Sequence, residues 1–573
     1  MAAETQWEAH VRAATAPSGM VAAKHRLAAQ AGLEVLQAGG NAVDAAVATA
    51  FAIGVVEPPM SGVGGGGYMS IFLQETQQRV VVAFPMQAPQ AAMPDMWELA
   101  EGYDNELFGW RLVKDDANIH GYSSIAIPGM VAGMAAALEQ FGTIGLDRAI
   151  APAIRLAEEG YSLSWFETMW QAQDLALLNR FPATAATFLS NGYPHRLPFA
   201  TTPGEAGRLR QPDLGATLRA IAENGPSALY GGRIGAQIAR HVQENGGILA
   251  AEDFAQYEAT VHLESVLGTY RDTNVIGMRG GTGAPTVMAI LNLLENFDIR
   301  AYGHNAADYL HAFIEASGQA FADRFAYMAD PTRVPVPLDG LLAKEYAAAM
   351  AQSINPDKAA GQRAPGNPWQ YQAGNGAPNA GASPGSSTES TTHLATMDSA
   401  GNAVALTQTL LSAWGSRVVA PGTGVLLNNG MMWYNPEPGT SNSIEGGKKP
   451  LNNMCPIVLE RDGRALAALG ASGGRRIINT VAQLAIDLVD FDMDIQAAIS
   501  APRIDCSTLD PILSIRIDPA VCAELRRRGH NVFVAEEAFL PRYFASPVAI
   551  QREGGALIGA ADPYYPTSAA MGY

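Results

Sequence analysis

The chain has 573 residues, of which 48% are hydrophobic and 16% charged, and its formal net charge at pH 7 is −18. This composition supports a large globular core, and the acidic balance makes nucleic acids and anionic membrane surfaces poor candidate partners. The three cysteines, Cys455, Cys506 and Cys522, lack metal-ligand spacing and cannot all pair with one another, which argues against a disulfide scaffold.

The first residues, "MAAETQWEAHVRAATAPSG", carry acids and a histidine where a secretory signal needs an apolar core. The most apolar long run, "AVDAAVATAFAIGVV", is rich in alanine and carries Asp44, so it does not resemble a membrane span. We therefore expect a cytoplasmic protein that is not bound to a membrane; a periplasmic location would require a leader that has been removed.

Helical patterning opens the chain in "KHRLAAQAGLEVLQAGGNAVDAAVATAFAIG", where Gly39-Gly40 should end one helix and Asn41 should cap the next. A glycine run then leads into two strand patterns, and a long helical middle follows. The run from about 354 to 390 is rich in Gly, Pro, Ala, Asn and Ser and predicts a flexible linker. Beyond it come further strands and one apolar helix. Strands on both sides of a linker, with helices around them, favour layered α/β sheets completed by both halves.

Two glycine motifs suggest different chemistry. "GVGGGGYM" satisfies G-x-G-x-x-G at Gly62, Gly64 and Gly67, but a strand pattern follows where a dinucleotide site needs a helix. A tight turn where the backbone passes close to another segment is the favoured interpretation. The ten histidines show neither H-E-x-x-H nor a His/Cys cluster, so no metal or other cofactor is expected.

"GASGG" supplies G-x-S-x-G around Ser472, between a strand pattern and a helix pattern, as in the nucleophile elbow of serine hydrolases. Asp505 or Asp510 and then His530 follow in the chain order that such hydrolases use. A serine hydrolase is therefore one open alternative, although it leaves the long chain before residue 470 without a role.

Thr391 follows the predicted linker and begins a strand pattern, "TTHLATM". A threonine hydroxyl needs a base beside it, and the free α-amino group of an N-terminal residue, with a pKa of about 7.7–8.0, can serve. Cleavage of the chain before Thr391 would create such a nucleophile. An ordinary strand after a linker explains the same pattern, since Thr is a good strand former.

Blocks along nearly the whole chain resemble the γ-glutamyltransferase family of N-terminal-nucleophile hydrolases. They include "LAAQAGLEVLQAGGNAVDAAVATAFAIGVVEP", "SGVGGGGYM", "ADRFAYMADP", "TTHLATMDSAGNAVALTQTL", "GVLLNNGM" and "ASGGRRIINTVAQ". The resemblance implies an αββα sandwich, made as a precursor that cuts itself between Ser390 and Thr391. Residues 1–390 and 391–573 would form a heterodimer, with further dimerisation left open. Thr391 would be the nucleophile, Thr409 would orient its amine, and Gly473 and Gly474 would form the oxyanion hole.

The substrate positions depart from the family pattern. Pro85 and Met86 stand where an Arg-Glu pair is expected, and Leu411 replaces an asparagine. Gly430 and Trp433 replace a Gln and an Asp that hold an α-amino group, and Asn452-Asn453 replaces a Ser-Ser pair. A buried zwitterion needs partners of both signs, and this pocket lacks them. Arg475, beside the oxyanion glycines, is a candidate partner for a compact carboxylate.

We therefore predict a threonine amide hydrolase or acyltransferase for a small-molecule amide whose acyl group lacks the γ-glutamyl head, with water or an amine as acceptor. Three alternatives stay open: a γ-glutamyl enzyme with a relocated arginine, the serine hydrolase using Ser472, and a family member that only binds a ligand.

Overall fold

A computed structural model describes residues 9–103, 109–197, 207–374, 376, 390–540 and 542–573. Its strands, in chain order, are β1 Ala14–Ala16, β2 Met20–Ala23, β3 Gly66–Leu73, β4 Gln78–Phe84, β5 Leu99–Tyr103, β6 Arg111–Val113, β7 Tyr161–Ser162, β8 Arg208–Leu209, β9 Thr260–His262, β10 Val266–Tyr270, β11 Thr273–Ile276, β12 Ser390–Met397, β13 Ala403–Leu411, β14 Val419–Ala420, β15 Val425–Leu426, β16 Ile457–Arg461, β17 Arg464–Ser472, β18 Ile504–Asp505, β19 Ile512–Ser514, β20 Phe533–Ala535, β21 Ser546–Glu553, β22 Ala556–Ala561 and β23 Ala569–Gly572.

The helices are α1 Arg26–Gln37, α2 Ala42–Val56, α3 Met130–Phe141, α4 Leu146–Glu159, α5 Trp165–Gln173, α6 Leu175–Leu178, α7 Pro182–Phe188, α8 Pro212–Asn224, α9 Arg233–Glu244, α10 Ala251–Ala255, α11 Ala284–Leu294, α12 Ile299–Tyr302, α13 Ala307–Tyr327, α14 Leu338–Leu342, α15 Lys344–Ala351, α16 Arg476–Val489, α17 Ile495–Ser500 and α18 Pro519–Arg527. Among the described residues, no helix combines the length and apolar character needed to cross a membrane.

Two antiparallel sheets of seven strands each form the centre of the molecule. One has the order β1-β22-β21-β17-β16-β11-β10, and the other has the order β23-β2-β12-β13-β3-β4-β9. Each sheet combines strands from the two sides of the predicted cut, as in the pairing of β1 with β22 in one sheet and of β2 with β12 in the other. The prediction that both halves complete the sheets is confirmed.

Three apolar layers hold this arrangement together. Small and branched side chains such as Ala395, Ala405, Ala468 and Val548 pack between the two sheets. Helices α1–α4 and α8–α10 cover the outer face of the sheet that contains β12. Helices α11, α13, α16 and α17 cover the outer face of the other sheet. Helix–sheet–sheet–helix layering is the predicted αββα sandwich.

Local signals placed the first two helices correctly. Asn41 caps α2, accepting from the backbone N–H groups of Val43 and Asp44, while the Asp44 carboxylate accepts from the Asn41 N–H at 2.8 Å. This reciprocal capping box satisfies donors that would otherwise be orphaned at the helix start.

The glycine run before β3 packs against β13, as the tight-turn interpretation predicts. A Cβ atom at Gly65 would lie 2.3 Å from the Thr409 carbonyl oxygen, and one at Gly67 would lie 2.3 Å from that of Thr407. Only glycine lets the backbones approach this closely. A strand follows the run, so the dinucleotide interpretation has no structural support here.

The first half of the predicted linker differs from the expectation of a loose segment. Pro368–Tyr371 forms a turn of 3-10 helix, and Arg363 makes a buried ion pair with Glu315 of α13. The Gly366 N–H donates to Asp323 Oδ1 at 2.8 Å. The composition of residues 354–390 predicted a flexible segment, because the few residues that anchor it hardly change its overall content of Gly, Pro, Ala, Asn and Ser. Residues 375 and 377–389, the rest of the predicted linker before Ser390, lie outside the described residues.

Candidate active site

Thr391 lies in the middle strand pair of its sheet. Strands β12 and β13 are antiparallel, with Ser390 opposite Leu411 and Thr392 opposite Gln408, and the register shifts between these two pairs. Thr391 therefore sits at an irregularity, the kind of feature that re-aims a side chain within a sheet. Ser390 and Thr391 are both buried, at 5% and 3% exposure, in the uncut chain.

The carbonyl oxygen of Ser390 accepts two hydroxyl groups. Thr391 Oγ1 donates to it at 2.7 Å and Thr409 Oγ1 at 2.5 Å. The Leu411 N–H donates in turn to Thr409 Oγ1 at 2.8 Å, which orients that hydroxyl toward the carbonyl. Both donors polarise this buried carbonyl, and the Thr409 hydroxyl is placed to stabilise negative charge that develops on its oxygen.

Gly473 and Gly474 connect the end of β17 to α16. Their φ angles are 135° and 64°, in the left-handed region that favours glycine. Strand β17 faces β12 across the sandwich, since a Cβ at Gly470 would come within 2.2 Å of the His393 ring. The two glycines thus follow directly from a strand that packs on the strand of Thr391.

Among the described residues, no hydrogen bond joins the serine, acid and histidine that the serine-hydrolase alternative requires. Ser472 is buried, and its Oγ donates to the Ser546 carbonyl at 3.3 Å. Asp505 accepts from Asn479 at 3.1 Å and from Ser507 at 2.8 Å. His530 is hydrogen-bonded to His311 at 2.7 Å. Neither Asp505 nor His530 is hydrogen-bonded to Ser472 in these contacts.

Three of the departures from the family pattern come together in one apolar cluster. Met86, Leu411 and Trp433 are 0%, 0% and 1% exposed and share this cluster with other buried apolar and aromatic residues, among them Tyr68, Ala126, Met431, Tyr434 and Met454. A Cβ at Gly430 would lie 3.0 Å from Met86 Cβ, so Gly430 is at the same place. Since Leu411 is opposite Ser390, the cluster lies beside the bond predicted to be cut.

The remaining predicted substrate residues flank this cluster. The Pro85 carbonyl accepts from Tyr257 Oη at 2.6 Å. Asn452 Nδ2 donates to Tyr68 Oη at 3.0 Å, and burial raises the pKa of the Tyr68 phenol well above its usual value. The Asn452 amide is therefore held at the edge of the apolar cluster by a neutral tyrosine.

Arg324 of α13 is a site residue that the sequence did not single out. Its guanidinium donates to the Asn452 carbonyl at 2.5 Å and to Asn453 Oδ1 at 3.0 Å. The available signal was its place in "ADRFAYMADP", a block noted only for its resemblance. Arg475 is also buried, and its guanidinium lies over the ring of Phe325, 5.5 Å from the centroid.

Two basic groups lie in the interior near β12. Lys24 is fully buried, and its Nζ donates a hydrogen bond to the Ser546 carbonyl at 3.2 Å. The same Nζ lies 3.5 Å from the centre of the Tyr565 ring. Burial lowers the pKa of Lys24 well below its usual value. Burial, with the Lys24 charge as a second cause, lowers the pKa of His393 to about 3, so this histidine is neutral at pH 7.

The fold is a four-layer αββα sandwich with Thr391 at the start of a central strand. The carbonyl group of Ser390, the preceding residue, accepts a hydrogen bond from Thr409. This combination defines the class of N-terminal-nucleophile hydrolases. Comparison with known proteins gives the family. The gamma-glutamyltranspeptidase family profile matches residues 28–572. The chain belongs to the γ-glutamyltranspeptidase family, and is an enzyme of the amidohydrolase type.

Relatives in this family carry two kinds of name. The chain is 36% identical to the Acylase ACY 1 proenzyme of Pseudomonas sp. strain V22, over 91% of this chain and 88% of that protein. It is 32% identical to the Glutathione hydrolase proenzyme of Escherichia coli K12, over 97% and 92%. Among solved structures, cephalosporin acylase from Bacillus halodurans matches with a TM-score of 0.85 and 26% identity, over 100% of this chain and 98% of that one.

Proposed function

We propose that the chain is a self-processing amide hydrolase or acyltransferase whose nucleophile is Thr391. The precursor cuts itself between Ser390 and Thr391, and residues 1–390 and 391–573 remain together as a heterodimer. The observation that supports the cut is the buried Ser390 carbonyl, whose oxygen accepts from both Thr391 and Thr409. Thr391 Oγ1 attacks the Ser390 carbonyl carbon, its proton passes to the Thr391 nitrogen, and that nitrogen leaves as the new α-amine, which gives an ester between Ser390 and Thr391. Water then hydrolyses this ester, which separates the two chains and frees the Thr391 hydroxyl.

In the mature enzyme the same hydroxyl attacks the substrate amide. Its proton passes to the Thr391 α-amine, which then protonates the departing substrate nitrogen. Thr409 orients that amine, since its hydroxyl already lies at the cleaved bond. The backbone N–H groups of Gly473 and Gly474 stabilise the oxyanion. Water or an amine then attacks the acyl ester and restores the threonine.

We propose further that the acyl group lacks the α-amino-acid head of a γ-glutamyl group. The supporting observation is the cluster of Met86, Leu411 and Trp433 at the positions where the family holds that head. An ammonium placed among these side chains would lose its hydration without gaining an anionic partner, which is costly. Asn452 and Asn453 keep polar groups at the edge for a carbonyl or carboxylate. The acylase names of relatives are consistent with this substrate class.

The first experiment compares intact masses of the wild type, Thr391→Ala and Thr392→Ala. We expect two chains meeting at Ser390–Thr391 in the wild type and in Thr392→Ala, and one whole, inactive chain in Thr391→Ala. A whole but active Thr391→Ala chain would refute the proposed nucleophile. Ser472→Ala should still be cut and active; loss of turnover in a normally cut Ser472→Ala would instead favour the serine hydrolase.

The second experiment compares three p-nitroanilides with γ-glutamyl, glutaryl and pentanoyl groups. The glutaryl amide lacks only the α-amine, and the pentanoyl amide lacks the carboxylate as well. We expect glutaryl or pentanoyl release to exceed γ-glutamyl release. Arg475→Met should lower glutaryl more than pentanoyl turnover if Arg475 pairs with a carboxylate. A clean heterodimer that binds these amides without turnover would indicate a binding-only protein.

A γ-glutamyl enzyme is the second candidate, and Arg324 is the observation that favours it. This buried guanidinium contacts both Asn452 and Asn453, at the pair that replaces the family's Ser-Ser. Preferred release from the γ-glutamyl anilide, inhibited by free glutamate, would support this candidate and refute the altered acyl pocket.

A further inference from the structure

Three potential metal ligands from α13 and the segment after α18 meet at one place in the structure. His311 and Glu315 are one helical turn apart, and His530 follows α18. Their exposures are 2%, 3% and 8%, and their ligand atoms all lie within 4.8 Å of one another. Sequence spacing did not reveal the group, because 219 positions separate the two histidines.

Hydrogen bonding orients both imidazoles toward each other. His311 Nε2 lies 2.8 Å from the Asn355 carbonyl oxygen, an acceptor, so this nitrogen carries the proton in neutral His311. His311 Nδ1 therefore presents a lone pair, and it lies 2.7 Å from His530 Nε2. A backbone carbonyl that fixes the tautomer of a ligating histidine is the usual outer partner in metal sites. His530 needs only to move its proton from Nε2 to Nδ1 to offer a second lone pair.

Glu315 is held by groups from the segment before the cut. Arg363 pairs with Glu315 Oε2, and the Ala360 N–H donates to Oε1 at 3.0 Å. Each carboxylate oxygen has two lone pairs, so these bonds leave capacity for a cation. Hydrogen bonds to a ligating carboxylate are themselves a common feature of metal sites.

A cavity of about 480 Å³ opens beside the cluster. Glu315 and His530 line it, together with Arg363, Phe321 and Ser507. A cation held by the three ligands would thus have space on one side for water or another small ligand. Three protein ligands with one open position is an arrangement that zinc adopts in proteins.

We propose that His311, Glu315 and His530 form a binding site for a divalent transition metal, with Zn²⁺ as the best match. Two imidazoles and one carboxylate suit zinc better than calcium or magnesium, which prefer oxygen ligands. Tetrahedral bonds of about 2.0–2.1 Å place two nitrogens about 3.3 Å apart, so the two rings must separate slightly from their present contact. The metal would also fasten the segment of Asn355, Ala360 and Arg363 to α13.

The test measures zinc and cobalt binding by the purified wild-type protein. Each sample is incubated with excess ZnCl₂ and dialysed against metal-free buffer, and zinc per chain is counted by mass spectrometry. Co²⁺ in place of Zn²⁺ reports the ligands directly through its visible absorption. The variants are His311→Gln and His530→Gln, and His262→Gln on β9 is the matched control. Circular dichroism establishes that each variant is folded.

We expect about one zinc per chain and cobalt bands in the wild type and in His262→Gln. Both cluster variants should bind zinc at least about 100-fold more weakly, since each loses a direct ligand. Folded wild-type protein that retains no zinc, or full retention by either cluster variant, would overturn the proposal.

Discussion

Replacing Thr409 by valine should slow the cut between Ser390 and Thr391 by about 10²–10³-fold. Valine has nearly the shape of threonine, and Thr409 is fully buried, so packing changes little. What is lost is the hydroxyl that lies 2.5 Å from the Ser390 carbonyl oxygen. In the proposed cut, that oxygen gains negative charge when Thr391 Oγ1 attacks. Removing one donor to such an oxygen costs about 2.7–4 kcal/mol of transition-state stabilisation.

The same change has a separate effect on stability. The Leu411 N–H now donates to Thr409 Oγ1 at 2.8 Å and would lose its acceptor. A buried donor left without a partner costs about 1–3 kcal/mol. The matched variant Thr409→Ser keeps the hydroxyl and loses only a methyl group, so it should be cut at close to the wild-type rate.

Cell-free translation followed by quenching at timed intervals gives the rate, because the precursor and its products separate by gel electrophoresis. Folding of each precursor is checked by its resistance to a low concentration of protease. A valine variant that is cut at the wild-type rate would refute the role of the hydroxyl. Equal slowing in the serine and valine variants would refute it as well, since packing would then explain both.

Three further changes test other parts of the molecule. Gly474→Ala forces a side chain onto a residue with a φ of 64°. It should lower p-nitroanilide turnover by at least about 100-fold while the cut still occurs. The control Gly554→Ala, at a φ of 55° with open space around it, should leave turnover unchanged. Trp433→Ala should destabilise the fold by about 3–5 kcal/mol in urea unfolding, whereas Trp165→Ala, 47% exposed, should cost far less; similar losses would contradict the packing described. Burial raises the pKa of Asp323 to about 6, so its contribution to stability is fully present below its unfolded pKa of about 3.9 and is lost as pH rises through 6. Asp323→Asn should remove a loss of about 3 kcal/mol between pH 4 and pH 7, measured by thermal unfolding of the uncut Thr391→Ala chain; an unchanged pH profile would contradict the assignment.

The hairpin that carries Thr391 and Thr409 could be predicted from sequence, because two short runs of apolar and strand-forming residues flank the turn-forming loop "DSAGN". Met86, Leu411 and Trp433 could be placed at one site only through the family positions that they occupy. They are far apart in the chain, and each is an ordinary apolar residue. The structure adds that they share one cluster beside Ser390.

The contacts that sequence could not predict are long-range and involve ordinary residue types. Arg324 reaches Asn453 across 129 positions, and Lys24 reaches Ser546 across 522. Nothing in the local pattern around either residue marks it as buried. The anchoring of Arg363 was missed for a related reason, because its partner Glu315 lies on a helix before the segment whose composition suggested a linker.

Both sheets contain strands from the two sides of the predicted cut, so the cut would change the kinetic order of refolding. In the precursor, β2 and β12 belong to one covalent chain and find each other by a unimolecular search. A cut at Ser390–Thr391 would make their reunion bimolecular, so recovery after unfolding would depend on protein concentration. Mature enzyme that unfolds would rarely reassemble at cellular dilution. Its lifetime would then be set by the rate of unfolding and not by an equilibrium.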